Sequence, residues 1–238
     1  MKSFRLLGIR IDQISRDEIR SLIAQKLQSD TFCHIATVNP EFLVEAQKNK
    51  RFREILEQTD LNICDGAGIE LLGKLLYGEK IERIPGVELA EMICGIAAQE
   101  EKSVFFLGGR GVAKASEQKM CSKYKNLQSV GAIDGNPETF EEVKKTQPNV
   151  ILVAFGAPKQ EYWLAEKGSQ IPSLRLGIGV GGTFDFWAGK ANRAPKILRN
   201  IGLEWFWRLA TQPSRWRRIL NAVVIFPFLS IQEKIRQK

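Results

Sequence analysis

The chain has 238 residues, 44% of them hydrophobic and 26% charged, with a formal net charge of +8 at pH 7. This size and composition suit one large globular domain, with or without an appendage, and argue against a disordered chain. The four cysteines are widely spaced and form no C-x-x-C pair, which favours reduced core thiols, and charged residues at positions 5, 10 and 12 leave no signal-peptide core.

The first half of the chain alternates between patterns typical of strands and of helices. Apolar runs predict strands at residues 4–11, 32–38 and 61–64. A capping-box pattern at Ser15 and Glu18 predicts the start of a helix, and Pro40 suits the first turn of another, at residues 40–48. Further helices are predicted at residues 67–76 and 86–99.

The same alternation continues to about residue 180. Strands are predicted at residues 104–107, 127–132, 150–155 and 174–180, separated by helices near residues 111–124, 138–146 and 159–168. Near-continuous apolar strands that alternate with helices predict an α/β fold, with a Rossmann-like, mostly parallel sheet covered by helices on both faces.

The composition changes after Pro195. From residue 199 to the end there are eight Lys or Arg residues against two Glu, a net charge of +6, and three of the five tryptophans lie here. The apolar run at residues 219–231 is too short and too interrupted for a membrane-spanning helix, which needs about 20 residues. We therefore expect an α/β domain at residues 1–195 and a basic, aromatic helical appendage at residues 196–238 that associates with a membrane surface.

Polar residues follow two of the predicted strands. Asp65 stands where a strand ends and a helix begins, so its carboxylate would project from the carboxyl edge of the sheet, where a general base could act. It could equally shape the Asp-Gly turn or cap the helix. Thr37 and Asn39 leave a strand at the same edge and could bind sugar hydroxyls, although a strand end followed by a helix cap is the commoner role of such residues.

Two glycine-containing turns are candidates for binding anions or sugars. In the sequence at residues 156–161, backbone N–H groups, Lys159 and Gln160 could form such a site, or the segment could be an ordinary strand-to-helix turn. Gly108 and Gly109 open another turn, which could hold part of a nucleotide.

A third stretch, at residues 174–195, reads as a buried strand that leads into a polar loop with Gly181, Gly182, Asp185 and Arg193, and we interpret it as one wall of a site. Residues 177–182 also match G-x-G-x-x-G, the dinucleotide fingerprint. That fingerprint requires a helix directly after it, and the residues from 183 onward are a poor helix start. A nucleotide-binding oxidoreductase is therefore the lesser alternative.

Arginines in the appendage could bind phosphate. Arg208, Arg215 and Arg218 are spaced by seven and three residues, which would put them on one helical face if Pro213 only kinks the segment. Such a cluster could neutralise a diphosphate, or it could be a solvated cationic face. No metal is expected, because the chain has no D-x-D pair and its one histidine, His34, lies in an apolar strand where a hydrogen-bonded core residue is expected.

Several motifs in order resemble the WecG/TagA/CpsF glycosyltransferase family. They are Thr-Val-Asn-Pro at 37–40, Cys-Asp-Gly-Ala-Gly at 64–68, Arg-Ile-Pro-Gly at 83–86, Gly-Ala-Pro-Lys-Gln-Glu at 156–161, Gly-Gly-Thr-Phe-Asp-Phe-Trp-Ala-Gly at 181–189, Arg-Ala-Pro at 193–195 and Trp-Phe-Trp-Arg at 205–208. The similarity covers nearly the whole chain.

The resemblance implies an inverting transfer, without metal or other cofactor, of N-acetylmannosamine or a related N-acetylhexosamine or uronic acid. The donor would be a UDP-sugar, and the acceptor N-acetylglucosamine on undecaprenyl diphosphate at the cytoplasmic face of a bacterial membrane. It further implies that Asp65 is the base, that Thr37, Asn39 and Gln160 position sugars, and that Arg83 and the appendage arginines face phosphate.

The main rival to an enzyme is a membrane or nucleic-acid binding protein that uses the basic appendage. Nucleic acid is not expected as a partner, because the positive charge lies beside an interrupted apolar run and not along a polar groove. The sequence leaves self-association into a homo-oligomer open.

Overall fold

A computed structural model describes residues 1–236 and contains one eight-stranded sheet with the order β1-β2-β4-β3-β8-β7-β5-β6. Only β1 and β2 pair antiparallel; the other neighbours are parallel. The predicted mostly parallel α/β sheet is therefore confirmed. The strands are β1 Lys2–Leu6, β2 Ile9–Gln13, β3 Cys33–Val38, β4 Leu61–Cys64, β5 Ser103–Gly108, β6 Gln128–Ile133, β7 Val150–Ala154 and β8 Leu176–Gly179.

Helices cover both faces of this sheet, as the continuous apolar strands predict. In β5, Val104 and Phe106 enter one core cluster and Phe105 and Leu107 another, and all four are fully buried. The helices of the sheet-bearing part are α1 Arg16–Leu27, α2 Pro40–Lys48, α3 Lys50–Gln58, α4 Ala67–Tyr77, α5 Gly86–Gln99, α6 Ala113–Lys123, α7 Phe140–Lys145, α8 Lys159–Lys167 and α9 Thr183–Trp187, with a short 3-10 turn at Gly168–Gln170.

Local capping explains where two of these helices begin. The Ser15 side chain accepts from the Glu18 backbone while the Glu18 carboxylate accepts from the Ser15 backbone, so the predicted capping box starts α1. Pro40 occupies the first turn of α2, and Asn39 caps it by accepting the Phe42 backbone N–H at 3.2 Å. The second cap matters for the predicted functional site, because it engages the side-chain oxygen of Asn39, one of the predicted site residues.

The prediction of a single strand at residues 4–11 is wrong, because this segment is the hairpin β1-β2. Leu7 and Gly8 both adopt left-handed backbone conformations, with φ of 52° and 77°, which reverse the chain in two residues. The continuous apolar run concealed the turn. Helix α3 was also not predicted; its apolar residues are few but are buried against the body of the protein.

The expectation that residues from 183 onward would not form a helix is also wrong. Helix α9 forms directly after the glycines, although it has only five residues. Phe184 is fully buried and stacks on Trp187 with ring centroids 5.8 Å apart. Burial of this aromatic pair outweighs the poor helix propensity of the segment.

The segment after Pro195 forms a string of short helices: α10 Lys196–Asn200, α11 Glu204–Thr211, a 3-10 turn Pro213–Arg215, α12 Trp216–Leu220, a π-helical turn Asn221–Ile225 and α13 Phe226–Arg236. Residues 237 and 238, including the basic Lys238, lie outside the described residues. The π-helical turn lies just before Pro227, which lacks the N–H that a regular helix would use. No helix within residues 1–236 combines the length and the apolar character needed to cross a bilayer.

This C-terminal segment folds back onto the sheet-bearing part. Phe226 is fully buried, and its ring lies against Gly68 at the start of α4. The Glu233 carboxylate accepts hydrogen bonds from the Leu7 backbone at 2.9 Å and the Tyr77 hydroxyl at 2.7 Å. The last helix is therefore held against both the hairpin and α4.

Candidate active site

A cleft of about 570 Å³ opens at the carboxyl edge of the sheet, above the central strands β4, β3, β8 and β7. Parallel pairing brings the ends of these strands together, with Val38 beside Cys64 and Val153 beside Gly179. The sequence-predicted residues that line the cleft are Thr37, Asn39, Asp65, Gly109, Gln160, Gly181, Gly182, Asp185, Arg208, Arg215 and Arg218. Turns that are distant in the sequence therefore meet in one cleft.

Asp65 follows β4 directly and is half-buried in the floor of this cleft. Its backbone N–H donates to the Val38 carbonyl at 2.8 Å, which fixes the first residue after the strand. Burial raises the pKa of Asp65 to about 7, opposed by the Gly86 backbone amide and by the charges of Arg208 and Arg83. A carboxylate with a pKa near neutrality is well matched to general-base catalysis at physiological pH.

Gly86, the first residue of α5, lies between Asp65 and Thr37. A Cβ at this position would be 3.2 Å from the Thr37 hydroxyl oxygen and 3.4 Å from Asp65 Oδ2. The Thr37 hydroxyl is buried and donates weakly to the Gly179 carbonyl at 3.4 Å. Asn39 lines the cleft and uses its side-chain oxygen to cap α2, so its amide N–H groups are not engaged by the cap. The Thr37 hydroxyl thus lies next to the carboxylate across Gly86, and Asn39 lines the same cleft.

The glycine turns that follow β7 and β8 form another wall. Gly156 and Gly181 have φ of 78° and 48°, the left-handed region that glycine adopts without strain. The Gln160 side-chain oxygen accepts the backbone N–H of both, at 3.1 Å from Gly156 and 3.0 Å from Gly181. The prediction of an anion-binding or sugar-binding turn at residues 156–161 stays a prediction, but the amide of Gln160 is engaged by the backbone.

Three arginines reach the mouth of the cleft from the C-terminal segment. The single helical face predicted if Pro213 only kinks the segment does not form, because α11 ends at Thr211 and the φ of −138° and ψ of 68° at Gln212 are not helical. Arg208 belongs to α11, Arg215 to the 3-10 turn and Arg218 to α12. The turn at Pro213 breaks the helix, and all three arginines line the same cleft.

The three arginines differ in their partners. Arg208 pairs with Glu204 at 2.8 Å and Arg218 with Glu41 at 2.5 Å. Arg215 has no ion pair within residues 1–236, and its pKa is lowered by burial and by the neighbouring positive charges of Arg218 and Arg208. Its guanidinium lies close to Gly182. A partly buried guanidinium that is repelled by neighbouring positive charges favours binding of an anion.

Four other predicted residues do not line the cleft. The Arg83 side chain donates a hydrogen bond to the Arg199 backbone carbonyl at 3.1 Å. Arg83 is also close enough to Asp65 that its positive charge lowers the Asp65 pKa. Lys159 is exposed on α8, and Gly108 packs against Phe155. Arg193 is paired with Glu88 at 2.6 Å.

Glu88 lies in the first turn of α5, and Arg16 and Arg199 also contact its carboxylate, at 2.7 and 3.6 Å. Arg193 therefore belongs to a cluster of three arginines around one glutamate that joins α1, α5 and the start of the C-terminal segment.

The sequence pattern also missed residues that line the cleft. Glu41 and Glu204 contribute carboxylates opposite the arginines, and Gln212 and Ser214 contribute polar groups from the turn at Pro213. In the sequence, Glu41 resembles an ordinary acidic residue in the first turn of a helix. Only its position next to the Thr-Val-Asn-Pro motif could have indicated that it lines the cleft.

Within residues 1–236 no three His, Cys, Asp or Glu side chains are grouped as they would be to hold a metal ion. His34 is buried and stacks on Phe32, as expected of a core residue, but its Nε2 has no hydrogen-bond partner in the part of the chain that the structure describes, which corrects the expected hydrogen bond. Burial lowers the pKa of His34 to about 4, so the imidazole is uncharged. The four cysteines are free, and Cys121 is the one that is not fully buried.

Comparison with known proteins identifies similar sequences along the whole chain. The model of the "Glycosyl transferase WecG/TagA/CpsF family" matches residues 4–238. Proteins named N-acetylglucosaminyldiphosphoundecaprenol N-acetyl-beta-D-mannosaminyltransferase are among the relatives. The one from Bacillus subtilis strain 168 is 31% identical over 192 residues, covering 79% of this chain and 75% of the relative. The one from Staphylococcus aureus strain NCTC 8325 is 30% identical, covering 98% of this chain and 94% of the relative.

Proposed function

Because the chain belongs to the WecG/TagA/CpsF glycosyl transferase family, we propose that it transfers N-acetylmannosamine, or a related N-acetylhexosamine or uronic acid, from a UDP-sugar. The proposed acceptor is N-acetylglucosamine on undecaprenyl diphosphate, the compound in the names of its relatives, in the synthesis of a bacterial cell-surface polymer. The observation that carries the proposal is one cleft lined by both Asp65 and the three arginines.

The proposed reaction is a single displacement at the anomeric carbon. Asp65 removes the proton from the acceptor hydroxyl, and that oxygen forms a bond to the anomeric carbon from the face opposite UDP. The bond from that carbon to the diphosphate oxygen breaks, and UDP leaves with the bonding electron pair. The configuration at the anomeric carbon is therefore inverted. A positioned base of this kind contributes about 10² to 10⁴ in rate.

The charge that develops on the leaving diphosphate requires a cation close by. Arg215 is the strongest candidate, because no carboxylate within residues 1–236 pairs with it. Arg208 and Arg218 are held by Glu204 and Glu41 and would exchange these carboxylates for phosphate oxygens. Guanidinium groups would then do the work that a divalent cation does in other sugar transferases, and we propose a metal-independent reaction on this basis.

The positions of Thr37 and Asn39 beside the carboxylate support a role in holding the sugars. The Thr37 hydroxyl lies near the Asp65 carboxylate across Gly86, and Asn39 lines the same cleft. Hydrogen bonds from such groups would orient the attacking hydroxyl toward the anomeric carbon. Asp185 lies on the opposite wall, near Gly182 and Arg215.

The C-terminal segment is proposed as an appendage that completes the cleft and binds the cytoplasmic membrane surface peripherally. Its helices expose large apolar side chains, with Phe206 55%, Trp216 53% and Phe228 62% accessible. Leu71 and Leu75 of α4 are exposed as well. Apolar side chains next to arginines suit the interface of an anionic membrane, where the lipid-linked acceptor would be held.

A donor panel tests the function. The protein is incubated with lipid-linked N-acetylglucosamine diphosphate and, in separate reactions, UDP-N-acetylmannosamine, UDP-N-acetylglucosamine and UDP-glucose, with and without EDTA. We expect a product one N-acetylhexosamine heavier by mass spectrometry, inverted at the new linkage by NMR and unaffected by EDTA. Absence of product with every donor would contradict the proposal. Tight NAD binding without transfer would favour an oxidoreductase, and a salt-dependent oligonucleotide shift without transfer would favour a nucleic-acid binder.

A further inference from the structure

The Gln160 amide already has hydrogen-bond partners within the protein. Its oxygen accepts from Gly156 and Gly181, and its nitrogen donates to Glu161 Oε1 at 2.8 Å. Gln160 is 2% exposed and Glu161 is fully buried. The oxygen of an amide has two lone pairs, and both are used here by backbone N–H groups. Gln160 is therefore better placed to hold the wall of the cleft than to bind a sugar through its oxygen.

Gly179, the last residue of β8, leaves the space that this pair occupies. A Cβ at Gly179 would overlap Gln160 Nε2 and Glu161 Oε1. The carbonyl of the same glycine accepts the Thr37 hydroxyl. The Gln160 and Glu161 side chains therefore lie behind the segment that joins Thr37 to the Gly181 turn, and they fix the distance between the ends of β7 and β8.

Glu161 is held as an uncharged acid. Burial raises the pKa of Glu161 to about 8, opposed by the hydrogen bond from Gln160 and by its own backbone N–H. Its Oε2 is buried without a hydrogen-bond partner within the described residues. A carboxylate in this position would be an unpaired buried charge, which is strongly unfavourable, whereas the protonated acid still offers Oε1 to the amide.

Within the described residues, no charged side chain contributes to the Glu161 pKa. Helix α8 contacts α3, the strands β3, β7 and β8, and the 3-10 turn Gly168–Gln170. On α3, Arg51 pairs with Glu166 further along α8, and none of the other α3 charges affects the Glu161 pKa. The titratable residues of β3 are Cys33, whose thiol pKa is raised to about 12 by burial, and His34, and both are uncharged at neutral pH. The strands β7 and β8 and the 3-10 turn carry no charged residue.

We propose that Glu161 is a positioning residue that orients the Gln160 amide, so that a single side-chain oxygen ties the Gly156 and Gly181 turns together as the wall facing the donor diphosphate. The assignment of that ligand rests on the proposed glycosyltransferase function, whereas the tie between the two turns does not. Loss of the tie would let the Gly181 turn move relative to Asp65. This turn is followed by Gly182, which lies close to the Arg215 guanidinium.

The test compares Glu161→Gln, which keeps an acceptor oxygen without an ionisable group, with Glu161→Leu, which leaves the Gln160 nitrogen unpaired. Glu166→Gln, on the exposed face of the same helix, is the matched control. Gln160→Ala serves if the leucine variant does not fold. Backbone hydrogen exchange is measured on the protein alone, at Gly156 and Gly181 and at core amides of β5, and kcat and KM for the UDP-sugar are measured from pH 6.5 to 9.

We expect Glu161→Leu to speed exchange at the two glycines by about tenfold, as for loss of roughly one hydrogen bond, without the same change in β5. It should also lower kcat/KM by about tenfold or more. Glu161→Gln should match the wild type at pH 7 within about threefold, and above pH 8 it should keep the protection that the wild type loses as Glu161 ionises.

Equal glycine exchange in all variants would overturn the proposal, as would equal loss of protection in β5, which would indicate global destabilisation alone. These readings hold even if the wild type transfers no sugar, so failure of the positioning role is distinguishable from failure of the proposed function.

Discussion

Replacing Asp65 by asparagine is expected to stabilise the fold above neutral pH while it removes the proposed base. Folding raises the pKa of Asp65 from 3.8 to about 7, mainly because the carboxyl is buried. The folded protein therefore binds a proton more tightly than the unfolded chain, and the free energy of unfolding falls as the pH rises from about 4 to about 7. At 1.36 kcal/mol per pKa unit, this shift corresponds to at most about 4 kcal/mol at pH 8.

Asparagine has no proton to lose, so the variant avoids this penalty. We expect it to be more stable than the wild type by about 1–4 kcal/mol at pH 8 and by less than about 1 kcal/mol at pH 4. Urea unfolding followed by tryptophan fluorescence at both pH values measures the difference. Asp30→Asn is the control, because that carboxylate is fully exposed. Equal stability of wild type and Asp65→Asn at pH 8 would refute the claim that Asp65 is held in a destabilising site.

Three further substitutions test separate parts of the account. Arg215→Ala should lower kcat/KM for the UDP-sugar by about 10- to 100-fold, since a charge-assisted contact is worth about 1.5–3 kcal/mol. Arg217→Ala should not lower it, because Arg217 lies outside the cleft and stacks on Trp216. Equal effects of the two substitutions would argue against an anion site. Gly86→Ala should reduce turnover by about tenfold or more, because its Cβ would crowd the Thr37 hydroxyl and the Asp65 carboxylate. Gly95→Ala, which is equally crowded in the same helix, should leave turnover unchanged. Similar losses in the two variants would indicate a general effect on α5. Trp216→Ser should weaken binding to anionic vesicles by about tenfold in a sedimentation assay, and unchanged sedimentation would remove that side chain from the proposed membrane surface.

Much of the sheet and part of the cleft follow from the sequence alone. Parallel strands end at a common edge, so the sequence predicts that polar residues directly after apolar runs, such as Asp65 and Asn39, lie together. Pro40 and the Ser15 capping box marked helix starts because their chemistry is local. The tight turn at Gly8 was hidden because apolar residues continue through it.

The remaining features depend on contacts between distant segments. Helix α9 forms because Phe184 and Trp187 are buried together, which local propensity does not report. Arg215 reaches the cleft only because the chain turns at Pro213, and a helical projection of the arginines therefore predicted the wrong geometry. Arg193 resembles a phosphate ligand in the sequence but is paired with Glu88, 105 residues away.

The central claim is that Asp65 takes the proton of the acceptor hydroxyl. Its most direct test is the turnover of Asp65→Asn with lipid-linked N-acetylglucosamine diphosphate and the UDP-sugar that the wild type uses, on protein shown to be folded, beside Asp30→Asn. We predict a loss of about 10² to 10⁴ in kcat for Asp65→Asn and no loss for Asp30→Asn. The wild-type rate should rise with pH to a plateau above about 7, as the carboxyl ionises. Wild-type turnover by folded Asp65→Asn would contradict the account.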